Sequence, residues 1–499
     1  MAILIGIDVG TTHLKAAAFA ETGEQLAVAA VETPTNRLPD GGAEYDPELL
    51  WQGIAECLSR VRAAAPGPVA GVGIASMAEA GVLVDGAGQP VYPATAWFDP
   101  RTRPQAERLA AEPGTAAFFA RTGLFVMPKH GLAKLLWLQQ HHAHAYKRGT
   151  TWLSLAEWIG YKLTGRCAAC PTLAARTLGY DLQQGAWAAD LIAAVGLDPA
   201  LFPPVLPEGA PLGPATPEAA ARTGLPAGTP VTLAGHDHPC ASLAAGITGP
   251  GQLLDSTGTA EAVIGAVARP ILTEAALATQ ISQGPLPVPG LYGLQAGAAA
   301  AGGSVEWLRR ELLPGIDYAE LTRLAEAAGP GPSGLLYLPH LAGGGPPAVE
   351  PASRGALLGL TYATSQAQIV KAVLEGTCYE LRRMVSAMEG LVGRPFPRIT
   401  VTGGHAHNQL WLQLKADILG RPVTVPAVTE ATLLGAALLA GVAGGCYSSP
   451  ADAAARITRP ERVIEPNPEA TAAYEGYYRT YEQLFPAIRP LYRRWGAAQ

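Results

Sequence analysis

The sequence predicts an α/β protein built as two similar lobes around a central cleft, and three observations carry that expectation. The chain has 499 residues, too many for one ordinary hydrophobic core. Each half opens on a strand, a small hydroxyl-rich turn and a second strand: ILIGIDVGTTHLKAAAF from Ile3 to Phe19, and QLLDSTGTAEAVIGAV from Gln252 to Val267. After the first hairpin the pattern continues as a third strand, a helix and a buried strand, a common α/β order.

The first turn reads Asp8, then Gly10-Thr11-Thr12. A glycine-permitted bend can aim backbone N–H groups and hydroxyls at one centre, which suits a phosphate. Asp8 would repel phosphate directly, so its natural partner is a hard cation such as Mg²⁺, reached through water. Lys15 can add charge beside it. In the echo, Asp255 precedes Ser256-Thr257-Gly258-Thr259. Either turn alone is equally an ordinary hairpin with a polar tip, and the repetition is what favours a polyphosphate clamped between two lobes.

Composition narrows the class. Net charge is −6 and hydrophobic residues make up 48%, giving well-packed lobes but no electrostatic footprint for nucleic acid or an anionic membrane. A small-molecule partner is expected. Six cysteines without regular spacing argue for a reducing compartment; Cys167 and Cys170 form a lone C-x-x-C, too little for a metal or redox site. The chain enters a strand almost at once, leaving no room for a signal peptide, and the apolar run Leu433 to Gly444 is too short to span a bilayer. A cytoplasmic protein is expected.

The remaining elements follow in order. Gln25 to Thr33 reads as a strand, Pro47 opens a helix with Leu49, Leu50, Ile54 and Leu58 at helical spacing, and Val69 to Ser76 is a strand apolar on both faces. Glu79 interrupts the apolar pattern before the next strand; it is either an exposed hairpin acid or an acceptor for substrate hydroxyls in the cleft. Trp97 and Asp99 end another strand, an aromatic ring beside an acid, suited to the C–H faces and hydroxyls of a sugar, with core packing the equal alternative for Trp97. The Pro- and Gly-rich stretch Pro203 to Pro230 reads as a surface connection. It leads into VTLAGHDHPCASLAAGI, where Asp237, between His236 and His238, stands at the start of a helix as a cap or as a functional acid. Gly302 could admit a nucleotide or serve close packing. Ser365 and Gln368 form a capping box for a helix whose core face includes Ile369, Val373, Leu381, Met384 and Met388. At Arg398 to Val423 a strand ends in Gly403-Gly404 and a helix starts near Asn408, a shape that lets backbone approach a base or ribose. The Ala- and Gly-rich helix Thr432 to Ala443 should pack tightly.

In this order, and over residues 3–485, these stretches resemble the FGGY family of carbohydrate kinases. KLLWLQQH, Lys134 to His141, fits one family signature except that Gly131 stands where Pro, Ser or Thr is expected; GALLGLTYATSQAQIVKAVLE, Gly355 to Glu375, fits the second throughout. The resemblance implies two ribonuclease H-like (actin-like ATPase) domains, 1–245 and 246–465, with a C-terminal helix in 466–499 returning to the first. It implies ATP-dependent phosphorylation of a pentulose, hexulose, alditol or sugar acid, with ATP and Mg²⁺ as cofactors and a homodimer as an option. Carried over residue by residue, Asp237 is the catalytic base and Glu79, Trp97, Asp99 and His238 meet the substrate, with Lys129 and His130 near the same pocket. Thr11, Thr12, Lys15, Gly258 and Thr259 hold phosphates, Gly302, Gly404 and Asn408 the nucleoside, and Asp8 the magnesium. Ala78 replaces the arginine that glycerol kinases place before the glutamate, which argues against glycerol; xylulose kinases tend to have histidine where Glu79 stands. An actin-like ATPase and a degenerate, sugar-binding kinase are the rival readings.

Overall fold

The computed structural model describes residues 2–428, 430–457 and 460–496. In the first lobe, strands Ile3–Val9 (β1), His13–Ala20 (β2), Gln25–Glu32 (β3), Val69–Ser76 (β4), Pro211–Pro214 (β5) and Pro230–His236 (β6) form one sheet in the order β5-β6-β4-β1-β2-β3. β1, β2 and β3 are an antiparallel meander, and β4 and β6 run parallel to β1. The second lobe repeats the plan. Strands Leu253–Thr257 (β7), Glu261–Val267 (β8), Ser282–Pro285 (β9), Tyr292–Ala298 (β10), Ile399–Thr402 (β11), Val423–Pro426 (β12) and Pro460–Ile464 (β13) lie in the order β9-β10-β8-β7-β11-β12-β13. Its meander is β7-β8-β10, with β11 and β12 parallel to β7. The duplication is the one read from the two hairpins, and the meander with two parallel strands on one side is the ribonuclease H-like plan that the resemblance implied.

Local chemistry sets the helices. Pro47–Ala64 (α1) starts on Asp46, whose side chain accepts from the N–H groups of Glu48 and Leu49 while Pro47 fills the first turn. Its buried face is Leu50, Trp51, Ile54, Leu58 and Val61; Leu49, expected on that face, is exposed. Gly131–His141 (α2) and Asp237–Ala244 (α3) follow in the first lobe, and Gly302–Trp307 (α4) in the second. Gln366–Val392 (α5) carries the capping box of Ser365 and Gln368. Gln409–Leu419 (α6) starts on Asn408, whose Oδ1 accepts from the Trp411 N–H at 3.0 Å.

Two expectations are corrected by packing. Pro203 to Pro230 is not a bare connection, because it contains β5 and a short helix, Pro217–Thr223; β5 is an edge strand, where proline costs no ladder hydrogen bond on its outer side. The element that returns to the first lobe is Ala431–Ala443 (α7), not the C-terminal helix. α7 packs on β1, β4 and α3, and a Cβ added at Gly6 or Gly73 would meet the carbonyl oxygens of Leu433 or Ala436 at 1.9 and 2.0 Å. Those glycines let the backbone of α7 lie directly on the sheet. Pro468–Gly496 (α8) instead places Tyr474, Tyr478, Tyr481, Leu484 and Phe485 in the second-lobe core with α5 and α6. Among the described residues no helix is long and apolar enough to cross a membrane.

Candidate active site

The lobes meet over a cavity of about 380 Å³ whose walls include Thr11, Glu79, Trp97, Lys129, Arg176, His236, Asp237 and His238 from the first lobe and Ala262, Gln295 and Gly297 from the second. The parallel strands of the first sheet explain the gathering. β1 ends at the Thr11 turn, β4 runs on to Glu79, and β6 delivers His236 and Asp237 at its carboxyl end, so three adjacent strand ends face one space.

Asp237 is the first residue of α3 and does not cap it; its Oδ1 accepts from the next backbone N–H, that of His238, at 2.6 Å, and lies 3.1 Å from His236 Nε2. Burial pushes the carboxyl up, but His238, His236 and the His238 N–H outweigh it and hold Asp237 down at about 2. It is therefore ionised at neutral pH. Burial pushes the His236 imidazole down, and its buried Nδ1 has no partner among the described residues. Nε2 of His236, 3.1 Å from Asp237 Oδ1, faces the carboxylate and can orient it.

Asp8 has the opposite character. Burial first, then the nearby Asp237 carboxylate, push it up to about 8 against the pull of Lys15, and its buried Oδ1 has no partner among the described residues. Lys15, opposite Asp8 on β2, is held at 3.1 Å by Glu430, which arrives with the start of α7. An unpartnered carboxylate oxygen among other carboxylates fits a cation. Among the described residues no three His, Cys, Asp or Glu side chains are grouped to hold a metal, and Asp8 is the residue that would hold such an ion. Asp255 does not share this role. It is clasped by Lys415, which also reaches Thr257 Oγ1 at 2.6 Å and Glu261 at 2.7 Å. The halves repeat in fold but not in chemistry.

The acceptor end is more heavily charged than the sequence suggested. Glu79 is not in a hairpin, because Gly81–Asp85 pairs with Gly149–Ser154 and leaves the main sheet, and Glu79 takes a left-handed backbone with φ of 65°. Its Oε1 accepts from Arg176 Nε at 2.9 Å, again from Arg176 Nη2, and lies 3.1 Å from Lys129 Nζ. Burial raises the Glu79 carboxyl, but Arg176 and then Lys129 hold it well below the usual range. A guanidinium is thus beside Glu79 although Ala78 supplies none, which removes the ground on which position 78 argued against glycerol. Trp97 Nε1 donates to Thr11 Oγ1 at 3.0 Å, so this half-exposed ring belongs to the cleft. Lys134, buried on α2, donates to the carbonyls of Glu79, Thr95 and Ala96 at 2.6, 2.8 and 3.0 Å. One ammonium therefore fixes the backbones that carry Glu79 and Trp97.

Other expected residues divide. Thr12, Gly258 and Thr259 lie on the two turns, with Thr12 and Thr259 exposed; the Gly258 and Thr259 carbonyls accept from the N–H groups of Gly302 and Gly303 at 3.1 and 2.9 Å. His238 lines the cleft with an exposed side chain. Gly404 faces open space after the bend at Gly403. Gly302 does not: a Cβ there would meet His405 Nε2 at 2.2 Å and the Gly258 oxygen at 2.4 Å, so it docks α4 on the second turn. Asn408 uses its Oδ1 on the cap of α6 and its Nδ2 on Thr322 Oγ1 at 3.0 Å, which makes it a strut. Asp99 is not on the cleft. It is buried, accepting from the N–H groups of Ala43 and Arg101 at 2.7 and 2.8 Å and from the Arg101 side chain. His130 is buried.

The profile of the FGGY family of carbohydrate kinases, N-terminal domain, matches residues 3–244, and that of its C-terminal domain matches residues 253–444. A glycerol kinase of Thermus brockianus is 33% identical over 97% of this chain and 98% of its own. The chain belongs to the FGGY family of carbohydrate kinases. A glycerol kinase of Gloeobacter violaceus is 31% identical over 97% of each chain. The crystal structure of xylulose kinase from Rhodospirillum rubrum superposes with a TM-score of 0.91 and 30% identity, covering 98% of this chain and all of that one. The FGGY kinase described here is accordingly a phosphotransferase that uses ATP and acts on a sugar or polyol.

Proposed function

We propose that this FGGY kinase transfers the terminal phosphoryl group of ATP to a hydroxyl held in the cleft between Asp237 and Glu79, with Asp237 as general base. The single observation that carries this reading is the placement of an ionised, non-capping Asp237 on the same cavity wall as the Thr11 turn. The hydroxyl oxygen attacks the γ-phosphorus, its proton passes to the Asp237 carboxylate, and the bond to the β–γ bridging oxygen breaks to release ADP. His236 keeps the carboxylate aimed through its 3.1 Å contact. Thr11 and Thr12 on one turn and Gly258 and Thr259 on the other hold the phosphates from opposite lobes, and the open face at Gly404 receives the nucleoside. Mg²⁺, if bound, would neutralise phosphate charge, and Asp8, with its unpartnered buried oxygen, is the residue that would hold it. Trp97 covers a C–H face of the acceptor while Glu79 and His238 meet its hydroxyls.

The test is ADP release measured over pentuloses, hexuloses, alditols and sugar acids. Acceptor-dependent ADP supports the reading; ATP hydrolysis indifferent to every acceptor would favour an actin-like ATPase, and acceptor binding without turnover a degenerate kinase.

A further inference from the structure

Three charged groups share the corner of the cleft beyond His236. Arg176 comes from the 3₁₀ turn Ala175–Thr177, Lys129 from the loop before α2, and Glu79 from the loop after β4. Both cations bind the same carboxylate oxygen, Oε1 of Glu79. Arg176 is 8% exposed and the Lys129 side chain 26%. Lys129 has no other ion pair among the described residues, and Asp237 is engaged with His236 and the His238 N–H. At this corner one carboxylate, Glu79, faces two cations, while the ionised Asp237 lies on the other side of the neutral His236. Arg176 uses Nε and Nη2 on Glu79 Oε1, and Arg176, Lys129 and Glu79 all line the cavity. A neutral polyol would offer this corner hydrogen bonds but no charge, whereas a carboxylate would offset the excess cation and form charge-assisted bonds with both donors. Arg176 also acts on the imidazole of His236, whose other neighbour is Asp237, so the corner and the base flank one ring.

Resting on the kinase reading above, we propose that the acceptor is a polyhydroxy acid, its carboxylate seated against Lys129 and Arg176 and its reacting hydroxyl against Asp237. Lys129 is then the residue that sets the preference for an acid over the corresponding neutral polyol.

The experiment measures kcat/KM at saturating MgATP for an aldonate and the alditol of equal chain length, with the wild-type protein and with Lys129→Gln. The aldonate is expected to exceed the alditol by about tenfold or more, the effect of one bond to a charged group. Lys129→Gln should lower the aldonate value far more than the alditol value, through KM, and rising salt should shrink the wild-type preference. An alditol or ketose used as well as the aldonate by wild type, or a preference that survives Lys129→Gln, would overturn this proposal while leaving the kinase reading in place. No turnover of any acceptor would remove both.

Discussion

Trp97 Nε1 donates to the Thr11 hydroxyl across 3.0 Å, joining the wall that would cover the acceptor to the turn that would hold phosphate. The pair should therefore be energetically coupled. Trp97→Phe and Thr11→Val are each expected to weaken turnover, and a double-mutant cycle on kcat/KM should show coupling of about 0.5–1.5 kcal/mol, the range for one hydrogen bond. Strict additivity would mean that the bond does not persist in the working enzyme.

Lys134 offers a second test. Its ammonium is shared by three carbonyls, of which only that of Ala96 also accepts from the Asp99 N–H at 3.2 Å, so Lys134→Met takes the donor from the buried Glu79 and Thr95 carbonyls and a loss of about 3 kcal/mol in stability is expected. Stability alone does not establish a positioning role. The acceptor KM should rise in the folded variant while ATP affinity stays close to wild type, because both anchored loops lie on the acceptor side. Equal loss of ATP and acceptor affinity would point to a general packing defect.

These residues also mark how far the sequence could be read. The two-lobed plan was legible because each half begins with the same hairpin pattern, a local signal that survives without contacts being known. Asp237, Glu79 and Trp97 were legible because each breaks an apolar run at a strand end. Arg176 was not, since it sits in a short turn with no periodic pattern and meets Glu79 only after the loop beyond β4 leaves the sheet. Asp99 misled for a similar reason: an acid beside a tryptophan at a strand end can point either way, and Arg101 with the Ala43 N–H draws it inward. The destination of α7 was hidden too, because an all-round apolar helix does not specify which lobe it covers; the glycines at 6 and 73 were the available signal.

Asp8 gives a pH dependence of defined sign. Its carboxyl is raised from 3.8 to about 8 in the folded protein, so the folded state keeps a proton that the unfolded chain releases. That contribution is fully present below the unfolded value and is lost as pH rises through about 8. Without Mg²⁺, wild type should lose thermal stability relative to Asp8→Asn as pH is raised across this window, and MgATP should restore wild type but not the variant. A pH-independent difference in Tm would contradict the assignment of Asp8 as a carboxylate awaiting a cation.

Thr259 tests whether both lobes hold the nucleotide. The residue is exposed on the second turn, so Thr259→Val should leave folding intact, and ATP binding should weaken by about 1 kcal/mol, the net contribution of one hydroxyl hydrogen bond. Calorimetric titration with MgATP reads this directly. Unchanged affinity and turnover would confine phosphate binding to the first turn.

The central claim is that Asp237 accepts the proton of the attacking hydroxyl, and Asp237→Asn tests it most directly. Asparagine keeps the shape, and no helix cap is lost because Asp237 does not cap α3. The amide is far less basic than the carboxylate it replaces. The measurement is kcat for acceptor-dependent ADP release, beside the Tm and the ATP dissociation constant of the same variant. A fall of roughly 10²–10⁴ in kcat with Tm and ATP affinity preserved is the predicted result. A folded Asp237→Asn protein that retains most of its acceptor-dependent turnover would contradict the assignment and move the base to His236 or His238.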